Sequence, residues 1–307
     1  MVRQQEQHPE RFAGCCRSVA RPVFASYAAL CVPQDIARMS APSGHSSANE
    51  IDGEAVSMLR KFIRANVAVS EFLDSVLPLR LRIDGNRTFA TEIGPAWLAS
   101  DALVYDLGGG ARPFVGLSEK RRLRLFVIGV DLDAQELSKA PRGIYDEEIE
   151  ADLTSFEGRG DGDVVICQAT LEHVRDSEGA LRGIASCAKP GGVVAIFSPS
   201  RNAVFARLNR VLPEGMKRQL LFAIFPEKGK GHDGFPAFYD KCLPSEVETI
   251  AKRNGLELIE RRLFWKSSYF YFFVPAFLAW RIWLGVSALF LGKDAAETYA
   301  YVFRRKQ

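Results

Sequence analysis

Histidine, methionine and tryptophan are scarce in this 307-residue chain, with four copies of each. The four histidines and six cysteines show no paired ligand spacing and no C-x-x-C, so no metal site is expected. Cys15, Cys16 and Cys31 lie in an N-terminal stretch without periodicity, and Cys167 sits in an apolar run. That scatter excludes a compact disulfide framework and favours a reducing, cytoplasmic compartment. Charge of one sign is lacking too. Forty Lys+Arg against 37 Asp+Glu leave a formal +3, too little to suggest a nucleic-acid partner. No internal repeat is present. With 47% hydrophobic and 25% charged residues, the composition argues against wholesale disorder, collagen and a multi-span membrane protein.

What charge there is sits unevenly. The tail from Arg261 to Gln307 carries a net +6, which leaves −3 for residues 1–260. At the other end, residues 1–50 finish in the turn-rich Ser40–Asn49, and the apolar Val19–Val32 is broken by Arg21 and Pro22. This makes a poor signal peptide. The expectation is a flexible N-terminal extension, or a stretch upstream of a start at Met39.

From residue 54 to 77 the apolar residues Val56, Leu59, Phe62, Ile63, Val67, Phe72, Leu73 and Val76 recur near helical spacing, and Pro78 ends the pattern. Strand-like and helix-like segments then alternate, the mark of a parallel sheet covered on both faces. The expected strands are Leu103–Leu107, Leu125–Val130, Glu148–Asp152, Val164–Cys167 and Val193–Ser198, with a helix at Ser177–Ala188. Further on, a helix is expected at Leu243–Asn254, with Pro244 in its first turn and Gly255 past its end. Leu256–Phe264 and Thr298–Arg304 read as two last strands.

The strongest signal is Val104-Tyr-Asp-Leu-Gly-Gly-Gly-Ala-Arg-Pro113. A strand ends in an acid, and glycines then turn the chain; side chains at Gly108 and Gly110 would block a ligand lying against the backbone. The next strand, Leu125-Phe-Val-Ile-Gly-Val130, ends at Asp131, where a carboxylate can accept from both hydroxyls of a ribose. The dinucleotide fingerprint G-x-G-x-x-G, counted from Gly108, needs glycine at 113, and the chain has Pro113. After the fourth strand comes Asp163-Val-Val-Ile-Cys-Gln-Ala-Thr-Leu-Glu-His-Val174, and Lys189-Pro-Gly-Gly192 makes a turn into the fifth.

Together these segments resemble the class I S-adenosylmethionine-dependent methyltransferases, especially those with a "LEHV"-type fourth motif. The likeness is good over residues 100–200 and loose elsewhere. It implies a Rossmann-like, doubly wound, mostly parallel seven-stranded sheet with an antiparallel last strand, here carrying an apolar helical insert. It implies one methyltransferase domain over residues 51–307, with S-adenosyl-L-methionine as cofactor. The implied cofactor-binding residues are Asp106, Gly108, Gly110, Asp131, Asp152, Leu153 and Gln168. The family's third glycine is Arg112 here, and residues 111–122 and 134–141 are short for covering helices.

Methyl transfer is an in-line displacement that needs an aligned acceptor more than a special side chain, although an oxygen acceptor gains from a base. His173 is expected to serve the structure. The loop at 228–242, rich in Gly and aromatics, suits a substrate element, and His232 within it is the candidate base. Residues 267–292 are almost wholly apolar and long enough to span a bilayer. Arg281, Pro275 and the flanking strands argue instead for a short helical pair or re-entrant element in the membrane interface. A cap over the active site or a dimer face is the alternative. Oligomeric state stays open.

The resulting expectation is methyl transfer to a small or lipid-linked acceptor, such as a glycan or isoprenoid intermediate, at the inner face of the membrane. A nicotinamide-dependent oxidoreductase and a non-catalytic membrane-associated scaffold stay as alternatives.

Overall fold

The computed structural model describes residues 47–211 and 236–307, with side chains from 57 onward. The expectations for residues 1–46, for 228–235 and for His232 therefore lie outside the described residues. The described part belongs to one compact unit, Gly44–Gln307.

Seven strands form one sheet in the order β3-β2-β1-β4-β5-β7-β6. β1 (Leu103–Leu107), β2 (Phe126–Asp131), β3 (Glu147–Glu150), β4 (Gly162–Gln168) and β5 (Ala188–Pro199) run parallel. β7 (Thr298–Arg305) is inserted antiparallel between β5 and β6 (Leu256–Phe264). The central strands read as continuous apolar runs because both their faces are covered. Tyr105, Leu107, Val165 and Ile196 pack into one layer, Val104, Val127, Ile166 and Val302 into the other. The edges carry charge instead: Glu147, Glu148 and Glu150 on β3, Glu257, Glu260, Arg261 and Arg262 on β6. Charged edges keep the sheet from adding further strands.

Three thiols, Cys167, Cys187 and Cys242, are fully buried and unpaired. Burial raises all three, Cys187 and Cys242 to about 12.

Short helices flank the sheet: α2 (Gly85–Thr88, continuing as a π turn over Phe89–Ile93) lies against β7, with Gly85 beside Thr298 and Phe264, and α3 (Leu117–Leu123) and α4 (Ala134–Ser138) lie on the β1–β2–β3 side. α5 (Ser177–Cys187) starts at the Asp176 cap, whose carboxylate accepts from the Glu178 and Gly179 N–H at 3.1 and 3.0 Å. α6 (Val204–Val211) follows β5, and α7 (Pro244–Arg253) has Pro244 at its start.

Most of the apolar insert is one helix, α8 (Val274–Leu291), preceded by a 3-10 turn at Ser268–Phe270, where a short helical pair or re-entrant element is expected from the sequence. Pro275 falls in its first turn, where no N–H is missed. Arg281 does not break it, because that residue lies on the inward stripe with Phe277, Trp280 and Leu284. Its guanidinium pairs with Asp74 of α1 (Ser47–Ser75), donates to the Leu81 and Trp265 carbonyls at 3.1 and 2.9 Å, and stacks over Trp280. Two further α1 residues at four-residue spacing complete the latch. Asn66 accepts from the Val274 N–H at 3.0 Å, and Ser70 donates to the Tyr271 carbonyl at 3.1 Å. Length and composition would let α8 cross a membrane. The buried ion pair ties its midpoint to the protein body.

With polar groups gripping inside, both helices turn apolar side chains outward. Ile282, Leu289 and Phe290 of α8 are 68%, 83% and 83% exposed, and Met58, Phe62 and Phe72 of α1 are exposed as well. Apolar spacing therefore locates α1 correctly, while part of its stripe faces away from the core.

Candidate functional site

The carboxyl ends of the parallel strands carry the candidate site. β1 ends in Asp106 and Leu107, and the chain reverses through Gly108 (φ +76°) and Gly110 (φ +47°). The Gly108 N–H bonds the Val130 carbonyl at 2.7 Å, fixing the turn to β2. A Cβ on Gly108 would stand 2.3 Å from the Thr170 side chain, and one on Gly110 3.0 Å from an Asp131 carboxylate oxygen. Both positions thus need glycine for backbone and for space.

Asp131 is half-buried. One oxygen accepts from the Asp133 N–H at 3.1 Å, and Gly110 stands beside the other. Its pKa is raised, first by burial and then by the neighbouring Glu136 and Asp133 charges. A carboxylate held at some cost beside a glycine turn is suited to accepting hydroxyl hydrogen bonds.

Asp106 does something different. Its buried carboxylate accepts from the Phe114 N–H at 2.7 Å and from the Tyr145 hydroxyl at 3.3 Å, which also reaches the Gly110 carbonyl at 3.2 Å. It pins both ends of the 107–114 turn. Burial pushes its pKa up to about 6, against those hydrogen bonds.

Beyond β3, Asp152 is exposed and accepts from the Thr154 N–H at 2.9 Å, shaping the turn beside buried Leu153. At the end of β4, Gln168 donates to Asn86 of α2 at 2.8 Å, bringing in a residue 82 positions away that the motifs do not reveal. Ala169 follows with φ +53°, and the Thr170 hydroxyl reaches the Leu107 and Gln168 carbonyls at 3.2 and 3.1 Å, joining the β4 and β1 turns.

Glu172 and His173 hold the chain from Pro236 to Tyr239. The Glu172 carbonyl accepts from the Phe238 and Tyr239 N–H at 2.8 and 3.0 Å, and His173 Nδ1 lies 3.0 Å from the Pro236 carbonyl. The Glu172 carboxyl is buried, which raises its pKa, and accepts from Ser198 at 3.2 Å.

Glu297, immediately before β7, is another acid the motifs do not mark. It is fully buried, and its Oε1 accepts from Trp280 Nε1 at 2.9 Å and the Val204 N–H at 3.4 Å. Burial is the main cause that pushes its pKa up to about 7 from 4.5, the bonds and Arg281 opposing. Between those values the folded state keeps a proton that the unfolded chain releases. The contribution is present below about pH 4.5 and lost as pH rises toward 7. Glu297→Gln is expected to remove that fall, gaining about 3 kcal/mol on the parent between pH 4.5 and pH 8. Urea denaturation at both pH values reads it; a parent-minus-variant difference that ignores pH would contradict it.

No group of three or more potential metal ligands occurs among the described residues. S-adenosylmethionine fits what is present: a turn whose glycines leave the backbone bare, with the half-buried Asp131 carboxylate beside it.

The sequence profile of the family described as "Methyltransferase domain" matches residues 105–196. The chain is 33% identical over 178 residues to a ubiquinone biosynthesis O-methyltransferase of Cupriavidus pinatubonensis, covering 55% of this chain and 65% of that enzyme, just under two thirds. Its counterpart from Ralstonia nicotianae is 36% identical, covering 56% of this chain and 73% of the relative; that from Azoarcus sp. is 30% identical, covering 62% and 76%. A solved structure, Haemonchus contortus phosphoethanolamine N-methyltransferase 2 in complex with S-adenosyl-L-methionine, gives a TM-score of 0.43 at 16% identity, covering 71% of this chain and 53% of that one. A chain with this strand order and this degree of relatedness belongs to the class I S-adenosylmethionine-dependent methyltransferases.

Proposed function

We propose that the chain transfers a methyl group from S-adenosylmethionine to an oxygen of a small, lipid-linked acceptor at a membrane face on the cytoplasmic side. The observation that carries the reading is relatedness above 30% to O-methyltransferases of ubiquinone biosynthesis, a lipid with an isoprenoid tail. The outward apolar faces of α1 and α8 support it, since such a surface suits an enzyme whose substrate lies in lipid. The basic Arg60, Lys61 and Arg64 of α1 are exposed near those faces and would meet anionic headgroups.

When bound, the cofactor supplies an electrophilic methyl on sulfonium. The protein's part is positional. Gly108 and Gly110 admit the cofactor against the backbone, and Asp131 accepts from its ribose hydroxyls. Asp106 keeps the turn in shape, and Asp152 with Leu153 borders the adenine. Gln168, fixed by Asn86, faces the junction of cofactor and acceptor. His232 is the proposed acceptor of the hydroxyl proton.

The test uses the full chain, radiolabelled S-adenosylmethionine and vesicles of phosphatidylcholine and phosphatidylglycerol bearing a polyprenyl catechol. Label is expected in a methyl ether, with the protein floating with the vesicles. Cofactor binding without transfer to this catechol or to lipid extracts would overturn the reading and favour a scaffold. Transfer without flotation would remove the membrane part.

A further inference from the structure

An open groove of about 330 Å³ runs between α6 and α8. Its walls are Val204 on one side and Ala276, Ala279 and Trp283 on the other, over Phe270 and Trp280. Phe270 and Trp280 stack with centroids 5.6 Å apart, which makes a flat, rigid aromatic floor. Among the described lining residues the charged one is Arg207, at the rim and 5.8 Å from the Trp283 ring. A volume in the range of ordinary ligand sites, with walls this apolar, suits hydrocarbon and little else.

Position matters as much as lining. At the inner end, Trp280 and Val204 both donate to Glu297. The next residue, Thr298, abuts Gly85, where a Cβ would stand 2.5 Å from its hydroxyl, and Asn86 beside it holds Gln168. Two buried oxygens, Glu297 Oε2 and Thr298 Oγ1, have no hydrogen-bond partner among the described residues and mark this junction. At the outer end, Trp283 leads along α8 to the exposed Val286, Leu289 and Phe290. The groove floor is thus tied through Glu297 and Thr298 to the polar edge of the candidate site, while its other end opens on the apolar outer face.

We infer that the α6–α8 groove binds the isoprenoid tail of the acceptor, leading it from the lipid at the outer face of α8 toward the Gln168–Asn86 edge. The inference rests on the proposed lipid-linked acceptor. Small side chains at 276 and 279 keep the groove open, and Arg207 at its mouth matches the phosphate level of a bilayer, where a cation is favoured.

Binding can be measured apart from methyl transfer. Farnesol brominated across its double bonds, added without vesicles to the full chain, should quench tryptophan fluorescence saturably. Ala279→Phe is expected to weaken that binding about tenfold, roughly 1.4 kcal/mol. Ala276→Leu is the second variant should the first fold poorly, and Trp283→Phe should lower the amplitude. In turnover, Ala279→Phe should raise the KM for a long-tailed catechol about tenfold relative to a one-isoprene catechol. Quenching that fails to saturate, or is the same in both groove variants, would overturn the groove assignment while leaving methyl transfer intact. A dimer dissolved by Ala279→Phe with no farnesol binding would overturn it too, making the groove a contact between copies. Saturable farnesol binding with no methyl transfer would instead sink the acceptor reading alone.

Discussion

Asp131→Ala should lower the affinity for S-adenosylhomocysteine on the order of a hundredfold, about 2–3 kcal/mol, with the melting temperature unchanged or slightly raised. Hydrogen bonds to a charged group each contribute about 1.5–3 kcal/mol, and two ribose hydroxyls can reach this half-buried carboxylate. In the protein alone, Asp131 accepts from the Asp133 N–H, a local bond, and its charge is disfavoured by burial and by Glu136 and Asp133. Removing it therefore strips the ligand of partners while relieving the fold of an awkward charge. Affinity of the parent should also fall with acidification, beginning above the ordinary aspartate range because the carboxyl is raised. Calorimetric titration beside a thermal scan reads both quantities. Unchanged affinity would take the ribose role from Asp131; lost affinity with a collapsed melting temperature would make its role structural.

Asp74→Ala should cost about 3–5 kcal/mol of stability, the largest effect expected from any single change outside the core. Arg281 is 11% exposed and Asp74 7% exposed at the side chain, so deleting the acid leaves a cation inside with two carbonyls for company. The double variant Asp74→Leu with Arg281→Met should recover most of the loss, since matched apolar groups replace a buried pair at little cost. Urea denaturation of the three proteins settles the matter. A single variant within about 1 kcal/mol of the parent would mean that Asn66, Ser70 and packing suffice to hold α8.

Local chemistry made much of this architecture legible in the sequence. β1 and β6 end where apolar alternation and flanking turn residues place them, and the glycine turn with Asp131 stands where strand spacing puts it. β5 begins at Ala188, ahead of the expected Val193, because Ala188 already pairs with Gly162, and Lys189–Gly192 form an irregularity before pairing resumes at Val193. The sequence misleads where an element's face is concerned. Helical periodicity finds α1 but cannot say that Asn66, Ser70 and Asp74 turn toward α8 while Phe72 faces out. Arg281 reads as an interruption of the apolar run for the same reason, since its partner is 207 positions away. Asn86 at Gln168 and Glu297 under Trp280 are likewise products of topology, invisible to any motif window. Asp106 stands near the end of β1, where the strand pattern puts it, yet one of its oxygens takes both the Phe114 N–H and the Tyr145 hydroxyl, contacts that no motif announces.

The three buried thiols turn the molecule into its own opening clock. Cys167 lies in β4 against the candidate site, Cys187 at the foot of α5, and Cys242 beneath the segment that follows Pro236. A raised pKa and full enclosure keep each one silent toward alkylating reagents until its layer comes apart. Peptide-resolved alkylation over time would then report three separate breathing rates. Cofactor should slow Cys167 first, and a tail lodged against α8 should leave Cys187 untouched.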